Sequence, residues 1–475
     1  MTSVATSIAR RHDLDALRAI AMLLGIVLHG SLSFIDLPAE AWPVHDVKTH
    51  VGFDVFMGMV HGFRMPLFFL ISGFFTAMLW RKRGLLALIE HRLKRIALPL
   101  VIGMFTIVPL LWFVAITLSM MGATEHAKTN QATAKANPGR TIDADIWVEY
   151  SQPPQTVNAI KIADTDHPLT PVSLPSGGPL IDNDGPTRMV RTPDETASTA
   201  QQDWSGIVGL IILLGVIPVF HHLWFLWFLC WLVAAFVFYA KLLDVFRWRH
   251  LSHRWIVSPK RYVWLLPLTL LPQALMGLLY PVFGPDTSPG ILPLPHVLFY
   301  YAIFFFFGAM YFDCDDATGR LGCRWRITLP IALLVVFPIG YEAAKGVLVG
   351  EWLGDDLERP VSVIMQVLYV WLMTFGLIGL FRERMSGESK VMRYVSDSSY
   401  WLYLTHLPLI FIPQFFVRNW DLPAVVKCVL VCVVTSGVLL ISYQLFVRYT
   451  PIGTLLNGPR KPTTPEPAVT TAQMT

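Results

Sequence analysis

Apolar runs of about 20 residues recur along the whole chain, each long enough to cross a hydrocarbon core about 30 Å thick. Between them lie short polar connections. The pattern predicts ten membrane-spanning helices, at roughly 16–35, 54–79, 96–119, 222–243, 262–283, 295–312, 326–345, 361–381, 398–417 and 423–446. The expected fold class is therefore all-α: a polytopic transmembrane helix bundle of about ten spans with a polar extracytoplasmic insert. Residues 1–119 carry spans one to three and the densest polar motifs, and 205–450 the remaining seven. Residues 120–204 form the insert, rich in Pro, Thr, Asp and Asn, with few aromatics beyond Trp147 and Tyr150. Such a composition reads either as a loop that is mostly disordered or as a small substrate-binding subdomain. Residues 205–220 (SGIVGLIILLGVIPVF) are apolar but too short for a comfortable span. Were they to cross, every later basic loop would invert, so a re-entrant or interfacial helix is expected there. Residues 451–475 are expected to be a disordered cytoplasmic tail.

Composition agrees with the pattern: 54% of the residues are hydrophobic, 15% are charged, and mean hydropathy is +0.52. Soluble domains carry about 25% charged residues, so a soluble multidomain protein is excluded and the lipid bilayer is an obligatory partner. The net charge of +4 matters less than its placement. Arg10 and Arg11, then Arg81–Arg83 and Arg92–Arg95, then the clusters near 241–261, 320–326, 382–393 and 448–461 all fall on one side of the ten spans. The positive-inside rule then puts both termini in the cytoplasm of a bacterial-type inner (cell) membrane. The run after Arg11 lacks a small-residue cleavage site and should remain as the first span. The five cysteines show no metal-ligand spacing, the histidines lack a carboxylate or cysteine at ligand distance, and no metal is expected. There is no nucleotide-binding glycine motif, and no nucleic-acid partner is expected. Oligomeric state is not legible.

Ionisable groups inside spans are costly and usually face a protein interior or aqueous cavity. In the first span, Arg18 and His29 are 11 residues apart and share a helix face, with Asp15 one turn before Arg18 and Gly25 on the same stripe. Arg18 and His29 are separated by about 16 Å along the axis. Histidine exchanges protons near neutral pH, which makes His29 a candidate base; the alternative is a hydrogen bond to a neighbouring helix. In HGFRMPLFFLISGF, His61 and Ser72 share a face, Arg64 lies about 60° away, and Pro66 should kink the span. Arg64 needs an anion, either an internal carboxylate or a substrate. Arg92 and Arg95 sit one turn apart at the entry to the third span, as phosphate contacts or as plain basic anchors. His221, His222 and Trp224 open the fourth span, and SSYWLYLTHLPL buries Ser399, Tyr403 and His406 in the ninth. Three spans with histidines, plus the 221–222 pair, point to a polar cavity in the bundle.

At these residues the chain resembles the acyltransferase-3 family of membrane acyltransferases, in particular its branch of periplasmic-glucan succinyltransferase-like proteins. The matching pieces are DLDALRAIAMLLGIVLHG, FRMPLFFLISGFF, RLKRIALP, HLWFLWFL and YWLYLTHLPL, in the family's order and together spanning 13–409. The resemblance implies an acyltransferase transferring groups other than aminoacyl groups. Acyl-CoA would be the donor substrate, taken from the cytoplasm, with no cofactor expected to be permanently bound. The acyl group, acetyl or succinyl, would pass to a carbohydrate acceptor at or beyond the outer face. His29 would be the catalytic base, accompanied by Asp15 and Arg18, and Arg92 and Arg95 would face the phosphates of coenzyme A. The insert at 120–204 departs from the family's usual short connection. His61, Arg64, Ser72, His222, Trp224, Tyr403 and His406 become candidates for substrate or oxyanion contacts. His29 could activate the acceptor hydroxyl directly or be acylated itself; Asp15 is too distant to orient it. The alternative is a transporter or flippase for an anionic or sugar substrate, which often has paired halves; no such pairing is evident.

Overall fold

The computed structural model describes residues 11–37, 41–136, 214–215, 217–246, 253–278, 282–346 and 353–458. The chain divides into two units, Met1–Met121 with Leu210–Thr475, and Gly122–Gly209. Within the second unit the described residues are helical through Ala136; the rest of the 120–204 insert lies outside the described residues.

The first unit is a bundle of helices, with no strand among the described residues. In chain order they are α1 (His12–Ser31), α2 (Val51–Arg92), α3 (Leu98–Ala136), α4 (Trp224–Phe246), α5 (His253–Val257), α6 (Arg261–Ala274), α7 (Pro295–Asp313), α8 (Trp325–Ile331), α9 (Phe337–Lys345), α10 (Asp355–Arg384), α11 (Lys390–Val417), α12 (Ala424–Ser442) and α13 (Pro451–Asn457). Eight helical stretches among the described residues are long and apolar enough to cross a membrane. One, Val51–Gly122, runs for 72 residues and is broken at Gly84 (φ 80°) and at the wide turn Leu93–Ala97, so it supplies two of the expected spans. Nothing stands within 4 Å of where a Cβ at position 84 would be, so the backbone angle rather than crowding calls for glycine. The all-α polytopic expectation holds.

The fifth expected span is built differently. Its helix, α6, has only 14 residues and contains Pro267 and Pro272, about 21 Å of rise. Beyond it, residues 282–294 run without helix and pack beside α2, where His61 Nε2 donates to Pro285 O at 2.9 Å. His61 stands ten residues into α2, about 15 Å from its start. Irregular backbone at such depth is tolerated where protein or a cavity covers it, and Thr287 of this stretch lines a cavity.

Of the segment expected to re-enter at 205–220, Leu214 and Gly215 are helical and 217–220 are not; the remainder lies outside the described residues. It is tied to 289–292 by Phe220 N–H to Pro289 O (2.9 Å) and Leu292 N–H to Leu214 O (3.2 Å). The third helix continues past 119 to Ala136, and the expected tail opens with α13; residues 459–475 lie outside the described residues.

Small residues set the closest packing, as expected where helices associate without a hydrophobic drive. Gly73 of α2 meets the Phe305 carbonyl of α7, and Gly308 of α7 meets the Leu70 carbonyl of α2. Arg81 clamps Asp313 through two bonds of 2.9 Å at the end of that pair. Apolar side chains on α3 and α12, among them Phe105, Phe113, Val429 and Ile441, are exposed, the surface a lipid-facing helix presents.

Candidate active site

Helices α1 and α11 run side by side in the same direction: Arg18 meets Ser396 near their starts (3.2 Å), and His29 meets His406 eleven and ten residues later. α11 carries a polar stripe at helical spacing. Ser396 receives Arg18, Tyr400 donates to the Arg95 carbonyl (2.7 Å), Tyr403 donates to the His222 carbonyl (2.7 Å), and His406 meets His29. The stripe thus links the arginine-rich end of the bundle to its interior.

The interior site is a cavity of about 160 Å³. His29, His61, Arg64, His222, Trp224, Tyr403 and His406, chosen separately from the sequence, all line it. Four elements deliver them: α1, α2, the turn His221–Leu223 with the start of α4, and α11. His221 has φ 44°, an uncommon conformation for a non-glycine residue. This strained turn precedes His222, whose Nε2 donates to Leu404 O at 3.0 Å while its buried Nδ1 has no partner. Strain of this kind concentrates at functional sites.

The hydrogen bonds assign the tautomers of the central pair. His406 Nδ1 lies 2.8 Å from the Tyr403 carbonyl and 3.1 Å from that of Leu402. Carbonyls only accept, so Nδ1 carries the proton and Nε2 is an acceptor. His406 Nε2 is 3.0 Å from His29 Nδ1, so His29 Nδ1 donates. The lone pair of His29 is thereby left on Nε2, on a ring that lines the cavity. This is the arrangement a general base needs: one nitrogen oriented by a partner, the other free for a substrate proton.

Two residues missed in the sequence hold His29 from its other side. Trp42 stacks on the ring, centroids 5.9 Å apart and planes within 7°. Gln414 accepts from Trp42 Nε1 (3.2 Å) and donates to the carbonyls of His29 (3.0 Å) and Gly30 (3.2 Å). Trp42 stays in place because its loop is pinned: Ser33 Oγ donates to Val44 O (2.7 Å), and Asp46 pairs with Lys427 at 2.5 Å, both side chains at most 1% exposed. Gln414 was legible as an amide inside the ninth span; Trp42, in a connecting loop, carried no such signal.

Arg64 makes no hydrogen bond or ion pair with another described residue, and its buried Nε is unpartnered. A Cβ at position 25 would run into Arg64 Nη1, so Gly25 is what allows the guanidinium to lie across α1. Leaving a cation so enclosed without a partner is costly, unless an anionic group arrives in the cavity.

The other expected residues lie elsewhere. Ser72 does not line the cavity; its carbonyl accepts from Thr76 Oγ1 (2.7 Å). Asp15 and Arg18 pair at 3.6 Å, and Arg18 also covers the Phe75 ring, away from the cavity. Arg92 turns inward to Thr76 Oγ1 (2.8 Å), while Arg95 lines a separate surface cavity of about 560 Å³ with Arg83, His91 and Lys94, closed by α13. The two arginines expected to act together thus face different spaces, because the wide turn Leu93–Ala97 rotates them apart. Among the described residues no three His, Cys, Asp or Glu side chains converge as a metal site.

The family model described as an acyltransferase domain, of type 3, matches residues 11–158 and 191–446. The chain belongs to the acyltransferase-3 family. Within that family, similar curated proteins include glucans biosynthesis protein C of Escherichia coli strain SMS-3-5, 37% identical over 102 residues, and its counterpart in strain K12, 36% identical over the same length. Each match covers 22% of this chain and a quarter of the relative. No solved structure matches. The acyltransferase-3 assignment spans both histidine-bearing helices of the central pair, α1 and α11.

Proposed function

We propose that this membrane acyltransferase moves an acetyl or succinyl group from acyl-CoA to a hydroxyl of a carbohydrate. The observation that carries the reading is the His29–His406 bond, which leaves His29 Nε2 free in a cavity beside an unpaired guanidinium. His29 Nε2 takes the proton of the acceptor hydroxyl as its oxygen attacks the thioester carbonyl. Negative charge then grows on the carbonyl oxygen, and the Arg64 guanidinium is the group suited to meet it. Collapse of the tetrahedral intermediate breaks the C–S bond, and the imidazolium returns its proton to the departing thiolate.

The charge distribution supports a sidedness for this reaction. The arginine-rich end is the cytoplasmic face by the positive-inside rule, with both termini there and the bilayer an inner membrane. Acyl-CoA would approach from that end, its phosphates near Arg95 and its neighbours. The acceptor would enter from the opposite end, past the 282–294 segment. The carbohydrate reading draws on the E. coli relatives, whose name concerns glucans.

The test is label transfer from radiolabelled acetyl-CoA and succinyl-CoA in inverted membrane vesicles, wild type against His29→Ala at matched expression. Label reaching glycan with wild type and lost in the variant supports the reading. Label unaffected by the substitution removes His29 from the mechanism. No transfer from either donor to a broad glycan set refutes these donors with this acceptor class.

A further inference from the structure

A second cavity, about 240 Å³, lies between α6, α9 and α10, on the other side of Gly284 from His61. Its polar wall is a ladder of uncharged groups. Gln366 Oε1 accepts from Gln273 Nε2 and from the Gly284 N–H, both at 2.9 Å. Gln366 Nε2 donates to Ser362 Oγ (2.9 Å), which donates on to Gly340 O (3.3 Å). The ladder stops one bond short: Gln273 is 2% exposed, lines the cavity, and its Oε1 has no partner. Apolar side chains, among them Met276 and Val363, make up part of the lining beside the amides. Arg359, at the rim, is committed to the carbonyls of Ala274 (2.7 Å) and Met276 (3.1 Å).

These features select a ligand class. A buried amide oxygen without a donor calls for one, and a hydroxyl supplies it while still able to accept elsewhere. The apolar part of the lining suits the C–H face of a ring. The amides themselves carry no charge, and the two charged residues of the lining, Glu358 and Arg359, are of opposite sign, so the cavity presents no net charge to select an ion. We propose that this cavity is a subsite for a sugar unit of the acceptor other than the one acylated, so that the enzyme prefers an oligosaccharide to a monosaccharide. The inference rests on the carbohydrate acyltransferase reading and deepens it.

The two cavities share a wall one backbone thick. Gly284 gives its N–H to Gln366, and the next residue, Pro285, gives its carbonyl to His61. A Cβ at Gly284, φ 135°, would run into the His61 ring. A sugar hydrogen-bonded to the amide ladder therefore braces the segment that holds His61.

Two measurements on the purified full-length protein in detergent test this. The first is the thermal midpoint against increasing maltohexaose or glucose, for wild type, Gln273→Leu and Ser362→Ala. Binding to the folded state raises the midpoint by mass action. A rise with maltohexaose in wild type, lost in both variants, is expected. The second is acyl transfer, where the ratio of KM for maltohexaose to KM for glucose should rise about tenfold in Gln273→Leu, the weight of one good hydrogen bond. No midpoint shift in wild type, or equal shifts in the variants, overturns the subsite and leaves a water-filled cavity. If Gln273→Leu fails to fold, Ser362→Ala carries the comparison. Absence of transfer to any carbohydrate acceptor refutes the underlying donor and acceptor reading, while the midpoint shift still decides the subsite.

Discussion

If His406 acts by orienting His29, replacing it should damage catalysis only while His29 is present. His406→Phe keeps the ring volume and removes the acceptor for His29 Nδ1, a 3.0 Å bond in the helix bundle. Loss of one buried hydrogen bond costs about 1–3 kcal/mol, and about 1.36 kcal/mol is tenfold in rate, so kcat should fall between about 5-fold and about 150-fold. The lower end is expected, because Trp42 still covers one face of His29 and Gln414 still holds its backbone. His29→Ala removes the base itself and should cost about 10²- to 10⁴-fold. The decisive variant is the double substitution, assayed by label transfer from radiolabelled acyl-CoA. In the His29→Ala background, His406→Phe should cost nothing further, since groups acting as a unit are not additive. His406→Gln, whose amide oxygen can accept from His29 Nδ1–H, should recover part of the rate. A double variant that multiplies the two single losses would refute the orienting role and give His406 an independent one.

Gly25→Ala should leave the fold intact yet displace the flexible Arg64 head, lowering kcat with little change in thermal midpoint; a fall in midpoint with unchanged kcat would contradict this. Gln414→Leu should lower kcat by about 5-fold or more through the loss of its bonds to Trp42 and to the His29 carbonyl, with the KM for acyl-CoA unmoved. Lys427→Met strands the buried Asp46 carboxylate and should destabilise by about 3–5 kcal/mol, visible in the thermal midpoint; adding Asp46→Asn should recover most of it. At the arginine-rich end, burial alone would raise the Asp316 carboxyl, but the amides of Leu321 and Arg320 and the Arg382 guanidinium hold it below the ordinary carboxylate range. Its contribution is present above the ordinary aspartate range and lost as pH falls through the lowered value. Asp316→Asn should therefore lower the midpoint at pH 7, and the difference from wild type should shrink as pH drops below about 3.8.

Much of the site was legible because an ionisable residue in an apolar run has few reasons to be there. His29, His61, Arg64, His222 and His406 each stood out against such a run, and the cost of burying them alone required a common polar space. Helical class and most of the expected spans followed from apolar length, the 14-residue helix of the fifth being the exception. Pairings did not follow. Helical spacing put Ser72 on the His61 face, but eleven residues carry it about 16 Å along α2, beyond the cavity. The same periodicity joined Arg92 to Arg95, and a wide turn sent them to different spaces.

The sequence by itself determined that this chain is a membrane-spanning helix bundle with buried histidines, since hydrophobic length and the cost of buried charge act locally. Only the tertiary structure decided which nitrogen of His29 is free, because that depends on the His406 ring more than 370 residues away along the chain. The same is true of Trp42 and Gln414, and of the non-helical 282–294 segment that divides the histidine-lined cavity from its neighbour. Each is a contact between distant segments, set by how the helices pack, and no pattern along a single helix specifies it.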